Sequence, residues 1–120
     1  MQSCNVYFIQ VARRLGAQRL RAAQQRMGFS HRTGWPLEER AGHVPQRPLT
    51  GGEVGLLGIG QGEVLVTPLQ VALMGAAFAN GGSLVVPWVV STIADTPVPH
   101  RGVPRPLGWS QATMDAVRTG

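Results

Sequence analysis

Residues 67–82, TPLQVALMGAAFANGG, constrain this chain more than any others. Thr67 offers a hydroxyl to cap a helix, and Pro68 suits the first helical position. From Leu69 to Ala79 nearly every side chain is apolar, with Gln70 the main exception. A helix that is apolar all round has to be buried all round. Asn80-Gly81-Gly82 then stops it. The pattern predicts a central, buried helix over about 67–80. The apolar run reaches roughly 20 Å, against a bilayer hydrocarbon core of about 30 Å, so its shell must be protein.

The rest of the chain supplies that shell only in part. At 120 residues there is room for one domain at most. Phe8, Val11, Ala12 and Leu15 repeat at i, i+3, i+4, i+7, which predicts a helix over about 4–15 ending at Gly16. A second helix is expected over about 17–27, with Leu20, Ala23 and Met27 inward and Gly28 at its end. Residues 28–57 read as a long loop broken by Pro36, Pro45, Pro48 and several glycines. SLVVPWVVSTI at 83–93 reads as a strand that Pro87 breaks or places on an edge. Residues 94–109 form another proline-rich loop. Ser110 then caps a short helix over 110–118, with Ala112, Met114 and Val117 as its apolar positions. Two amphipathic helices around one oily one imply a piece of a larger body, of marginal stability alone. The fold class is α+β, mostly helical.

Composition narrows the function. A hydrophobic content of 43% rejects wholesale disorder. The formal charge is +5, and all eleven basic residues are arginine. Scattered as they are, they fit coding bias better than a nucleic-acid surface. The arginine-rich helices at 4–15 and 17–27 still leave one alternative of another class, a helix-turn-helix DNA-binding module. A single cysteine rules out an internal disulfide and a cysteine zinc site. His31, His43 and His100 show no ligand spacing, so no metal site is expected. No signal peptide or membrane anchor is visible. Cys4 reads as a small buried residue at a helix start rather than a nucleophile.

The trio Ser3-Cys4-Asn5 carries the remaining chemistry. A hydroxyl can donate and accept a proton at once, so it can relay one toward a leaving amine. A carboxamide two residues on can pair with a peptide amide in a substrate. Alone, S-x-N is too short a pattern to weigh. It gains weight from its company: SCNVYF, then Arg14-Leu15-Gly16, Met27-Gly28-Phe29 and ERAGHVP at 39–45. Gly58-Ile59-Gly60-Gln61-Gly62, Val66-Thr67-Pro68-Leu69-Gln70 and Ala79-Asn80-Gly81-Gly82 follow in order.

Together these residues resemble the transpeptidase domain of penicillin-binding proteins, most closely the class B type. The resemblance implies a peptidoglycan D,D-transpeptidase that cross-links stem peptides through a serine acyl-enzyme, binds penicillin and uses no cofactor. It implies Ser3 as the catalytic proton relay and Asn5 as substrate-binding. Gln61 is a further substrate-binding candidate, within a turn that places the 67–80 helix. The implied parent is anchored in the cytoplasmic membrane with this domain outside. Its partners would be stem peptides, β-lactam antibiotics and a membrane glycosyltransferase of the elongation or division machinery, and not nucleic acid. A β-lactam sensor or β-lactamase on the same fold is the nearer alternative.

The family pairs S-x-N with S-x-x-K and K-T-G. Neither can be written in a chain without lysine. Arg118-Thr119-Gly120 imitates the last, but WSQATMDAVRTG has a helical pattern, whereas K-T-G lies on a strand. The expectation is a partial domain, running from S-x-N to just short of K-T-G, that is inactive alone.

Overall fold

The computed structural model describes residues 4–100 and 102–119. Among the described residues four helices carry the fold: α1 (Asn5–Arg26), α2 (Gly51–Gly58), α3 (Pro68–Ala79) and α4 (Gln111–Thr119). Four strands of two residues each accompany them: β1 (Ser83–Leu84), β2 (Thr92–Ile93), β3 (Thr96–Pro97) and β4 (Arg105–Pro106). The chain divides into two compact units, Met1–His31 with Gly42–Val66, and Arg32–Ala41 with Thr67–Gly120.

In the first unit α1 runs for 22 residues with a break at Gly16, where φ is 78° and ψ 160°. That backbone is outside the helical region and costs glycine least. Helical stretches therefore lie on either side of it. The expected inward face is only partly inward. Ala12 is buried, while Phe8, Leu15 and Ala23 are exposed. What selects Ala12 is the close approach of α2. A methyl group on Gly58 would lie 2.2 Å from Ala12 Cβ, and one on Gly55 would lie 2.9 Å from Ile9 Cγ2. Two glycines three apart let the helices touch where larger residues would hold them off. Val54, Leu57, Phe29 and Val44 complete this unit's core.

Helix α2 falls inside the stretch expected to be loop, 28–57. Its cause is a capping box. Thr50 Oγ1 accepts from Glu53 N at 3.3 Å, and Glu53 Oε2 accepts from Thr50 N at 2.8 Å. Reciprocal capping satisfies two of the orphaned N-terminal donors and offsets the poor helix propensity of Gly51 and Gly52.

In the second unit Thr67 caps α3 as expected, its Oγ1 accepting from Gln70 N at 3.2 Å. Burial of α3 departs from expectation. Gln70, the polar exception, is 2% exposed, while Val71 is 43% exposed. Pro68, Ala72, Gly75 and Ala79 are exposed beside Val71 on the same helical face. Gln70 goes inward because every polar end finds a partner. Its Oε1 accepts from Thr67 N at 2.9 Å, and its Nε2 donates to Ala41 O at 2.7 Å. A buried carboxamide so satisfied carries little desolvation penalty.

Around α3, Phe78 stacks on Trp109 with ring centroids 4.6 Å apart. Met114 and Leu107 are buried, whereas Ala112 and Val117 of α4 are exposed. The expected strand at 83–93 shrinks to its ends. β1 pairs with β4, and β2 pairs with β3. Pro87 lacks the N–H that a continuing ladder needs. The expected loop 94–109 therefore holds β3 and β4. Ala94 and Asp95, with φ of 44° and 63°, make the two-residue turn between β2 and β3. Positive φ at both positions matches the right-handed strand twist. Ser110 Oγ accepts from Thr113 N at 3.2 Å at the start of α4.

Candidate active-site segments

Of the residues singled out in sequence, Asn5 falls at the start of α1 and Gln61 just after α2, both in the first unit. Ser3 lies outside the described residues. Cys4 occupies the N-cap position of α1, makes no side-chain cap hydrogen bond and is exposed. The expectation of a buried thiol is thereby corrected: the thiol is exposed among the described residues. Asn5 is the first helical residue and is exposed.

The turn after α2 is a Schellman closure. Gly60 N donates to Leu57 O at 3.2 Å, and Gln61 N donates to Leu56 O at 2.9 Å. Gly60 has φ of 71°, the left-handed conformation this closure requires. That leaves the Gln61 side chain exposed. It lines a cavity of about 250 Å³ with Pro45, Leu49, Leu56 and Leu57. Because Gly58 sits against the carbonyl of Phe8, at 3.4 Å from a built Cβ, the G-x-G-Q-G run begins one turn beyond Asn5. No hydrogen bond joins Asn5 to Gln61 among the described residues.

Arg47, Glu53 and Glu63 line the same cavity and were not singled out in sequence. Arg47 Nη2 lies 2.5 Å from Glu53 Oε1 and 2.6 Å from Glu63 Oε1. Hydrogen bonds from Arg47 first, and from Thr50 second, hold the Glu53 carboxyl down at about 2. Glu53 thus both caps α2 and anchors the arginine. A Thr-x-x-Glu pattern at 50–53 was the available signal, obscured by the two glycines inside it.

In the second unit Glu39 gathers the 32–41 segment. Its Oε2 accepts from Thr33 N and Thr33 Oγ1 at 2.9 and 2.7 Å, and its Oε1 from Gly34 N at 3.0 Å. Burial opposes its charge most strongly, yet these donors together hold its pKa below the ordinary value. No group of three or more His, Cys, Asp and Glu able to hold a metal occurs among the described residues.

Arg118 and Thr119 belong to α4 and not to a strand. Arg118 Nε donates to Phe78 O and its Nη2 to Ala79 O, each at 3.0 Å. The guanidinium fork thus closes the C-terminus of α3, where carbonyls lack helical partners. Nor does α1 form a helix-turn-helix: the one non-helical residue, Gly16, replaces the three- or four-residue turn of that motif.

The chain matches the penicillin-binding protein transpeptidase domain over residues 1–119, and it belongs to that family. Within the family it is related to class B proteins of the PBP2/MrdA kind. It is 34% identical to the peptidoglycan D,D-transpeptidase MrdA of Haemophilus influenzae over 77% of its own length and 16% of that protein. Identity to the peptidoglycan D,D-transpeptidase PbpA of Mycobacterium tuberculosis is 34%, covering 78% of this chain and 19% of PbpA. The crystal structure of Pseudomonas aeruginosa PBP2 in complex with WCK 5153 superposes with a TM-score of 0.79 at 32% identity. That match covers 94% of this chain and 28% of the other. The mostly helical α+β architecture is therefore that of part of the PBP2 transpeptidase domain. The chain spans about one sixth of the length of the MrdA relative.

Proposed function

We infer that the chain forms part of a peptidoglycan D,D-transpeptidase, joining stem peptides through a serine acyl-enzyme. The observation that carries this reading is the ordered match over residues 1–119, with a fold shared with PBP2 at 32% identity. In the whole enzyme a serine oxygen attacks the penultimate D-alanyl carbonyl and the terminal D-alanine leaves. An amine of a second stem peptide then attacks the ester and frees the serine. Ser3 relays the proton to the departing amine, and Asn5 holds the amide of the stem peptide or of a β-lactam side chain. Exposure of Asn5 at the tip of α1 suits that task, because the helix fixes its backbone while its carboxamide stays open. Gln61, on a glycine-fixed turn beside α1, is a secondary substrate contact.

The activated serine and its lysine are not in this sequence, so the chain alone forms no acyl-enzyme. The larger protein works outside the cytoplasmic membrane, held by an anchor elsewhere and beside a membrane glycosyltransferase. Among the described residues no helix is long and apolar enough to cross a membrane. A fluorescent penicillin tests the reading. The 120-residue chain should stay unlabelled, while the whole parent protein, which carries S-x-x-K and K-T-G as well, should label covalently. Labelling of the chain alone, abolished by replacing one of its own serines, would overturn the assignment.

A further inference from the structure

We propose that the cavity beside the Gly60-Gln61-Gly62 turn is a binding site for a small primary amine carried on an apolar body. Its floor is apolar, built from Pro45, Leu49, Leu56 and Leu57. Its volume of about 250 Å³ is below that of drug-sized pockets and suits a ligand of fragment size. Its rim sets the charge. Arg47 contributes one positive charge, and Glu53 and Glu63 contribute two negative ones.

Hydrogen bonding decides which of these groups is open to a ligand. Glu53 is committed at both oxygens, to Arg47 through Oε1 and to Thr50 through Oε2. Arg47 is shared between two carboxylates, so an anion would have to displace one of them. Glu63 engages Arg47 only through Oε1, and its side chain is 53% exposed. Its second oxygen and the Gln61 carboxamide have no protein partner among the described residues. Both residues line the cavity and offer acceptors to an ammonium. A carboxylate or phosphate ligand would meet net negative charge instead.

The test is a ¹⁵N–¹H titration of the whole transpeptidase domain containing these residues with phenethylamine, 2-phenylethanol and 3-phenylpropanoate. The amine should bind with a Kd on the order of 1 mM, shifting amides of Leu49, Leu56, Leu57 and residues 61–63. The alcohol and the carboxylate should bind more weakly at the same amides. Glu63→Gln should weaken the amine by about fivefold, consistent with one exposed charge pair. Arg47→Gln should tighten it, because both carboxylates are released; that opposite sign guards against a simple loss of folding. Equal binding of all three probes, no binding below about 10 mM, or an unchanged amine affinity in Glu63→Gln would overturn the proposal.

Discussion

Gly58 leaves no room for a methyl group, and that single position sets the spacing of α1 and α2. A Cβ there would sit 2.2 Å from Ala12 Cβ, with the backbone carbonyl of Phe8 at 3.4 Å. Gly58→Ala should therefore cost about 1–3 kcal/mol by overpacking. Gly55→Ala should cost less, since its nearest obstacle is the Ile9 Cγ2 methyl at 2.9 Å rather than a Cβ at 2.2 Å. Urea unfolding of both variants measures the order. Glu53 gives a pH signature at the same scale. Its folded pKa of about 2 lies below the ordinary 4.5. The stabilisation it brings is thus complete above pH 4.5 and is lost as pH falls toward 2. Glu53→Gln should flatten that part of the acid-unfolding curve followed by circular dichroism. The glycine contacts were not visible in sequence. Gly55 falls in the expected loop and Gly58 opens the G-x-G-Q-G run; neither announces a helix contact, because their value lies in what they let approach, and the approaching helix is about 45 residues away in the chain.

At the scale of elements, α3 depends on a cap that also holds a loop. Thr67→Ala should destabilise the chain by about 1 kcal/mol. Gln70→Ala should cost more, about 1–3 kcal/mol, because it also leaves the part-buried carbonyl of Ala41 without its donor. Thermal unfolding of the two variants separates these contributions. The start of α3 was legible, since Thr67-Pro68 is local chemistry. The burial of α3 was not. Its composition says that a partner is needed on every side, but only the tertiary arrangement decides which side is covered within this chain. Helix α2 illustrates the converse, a helix stated by its cap and concealed by its glycines.

For the molecule as a whole, apolar residues left open mark where the chain is incomplete as a folded body. Val6, Tyr7, Phe8 and Leu15 are exposed on α1, and Val71 on α3. Burial of such side chains is the main source of folding free energy, so the chain alone should be marginally stable. Amide hydrogen exchange should show weak protection even in α1 and α3. Strong protection throughout all four helices would mean that the chain closes its own core. The family and its fold were legible because ordered motifs with unmistakable spacing survive in a partial domain. The ion triad of Arg47, Glu53 and Glu63 was not, since its members are brought together only by the α2 cap and the turn that follows.

Arg118 has a practical consequence for anyone scanning genomes with short catalytic signatures. A basic residue followed by Thr-Gly would be flagged here as a degenerate third motif, yet its guanidinium is already committed to two backbone oxygens of a neighbouring helix. Lysine, a single-point donor, cannot reproduce that two-pronged clasp. An attempt to restore the signature by Arg118→Lys would loosen a joint between helices.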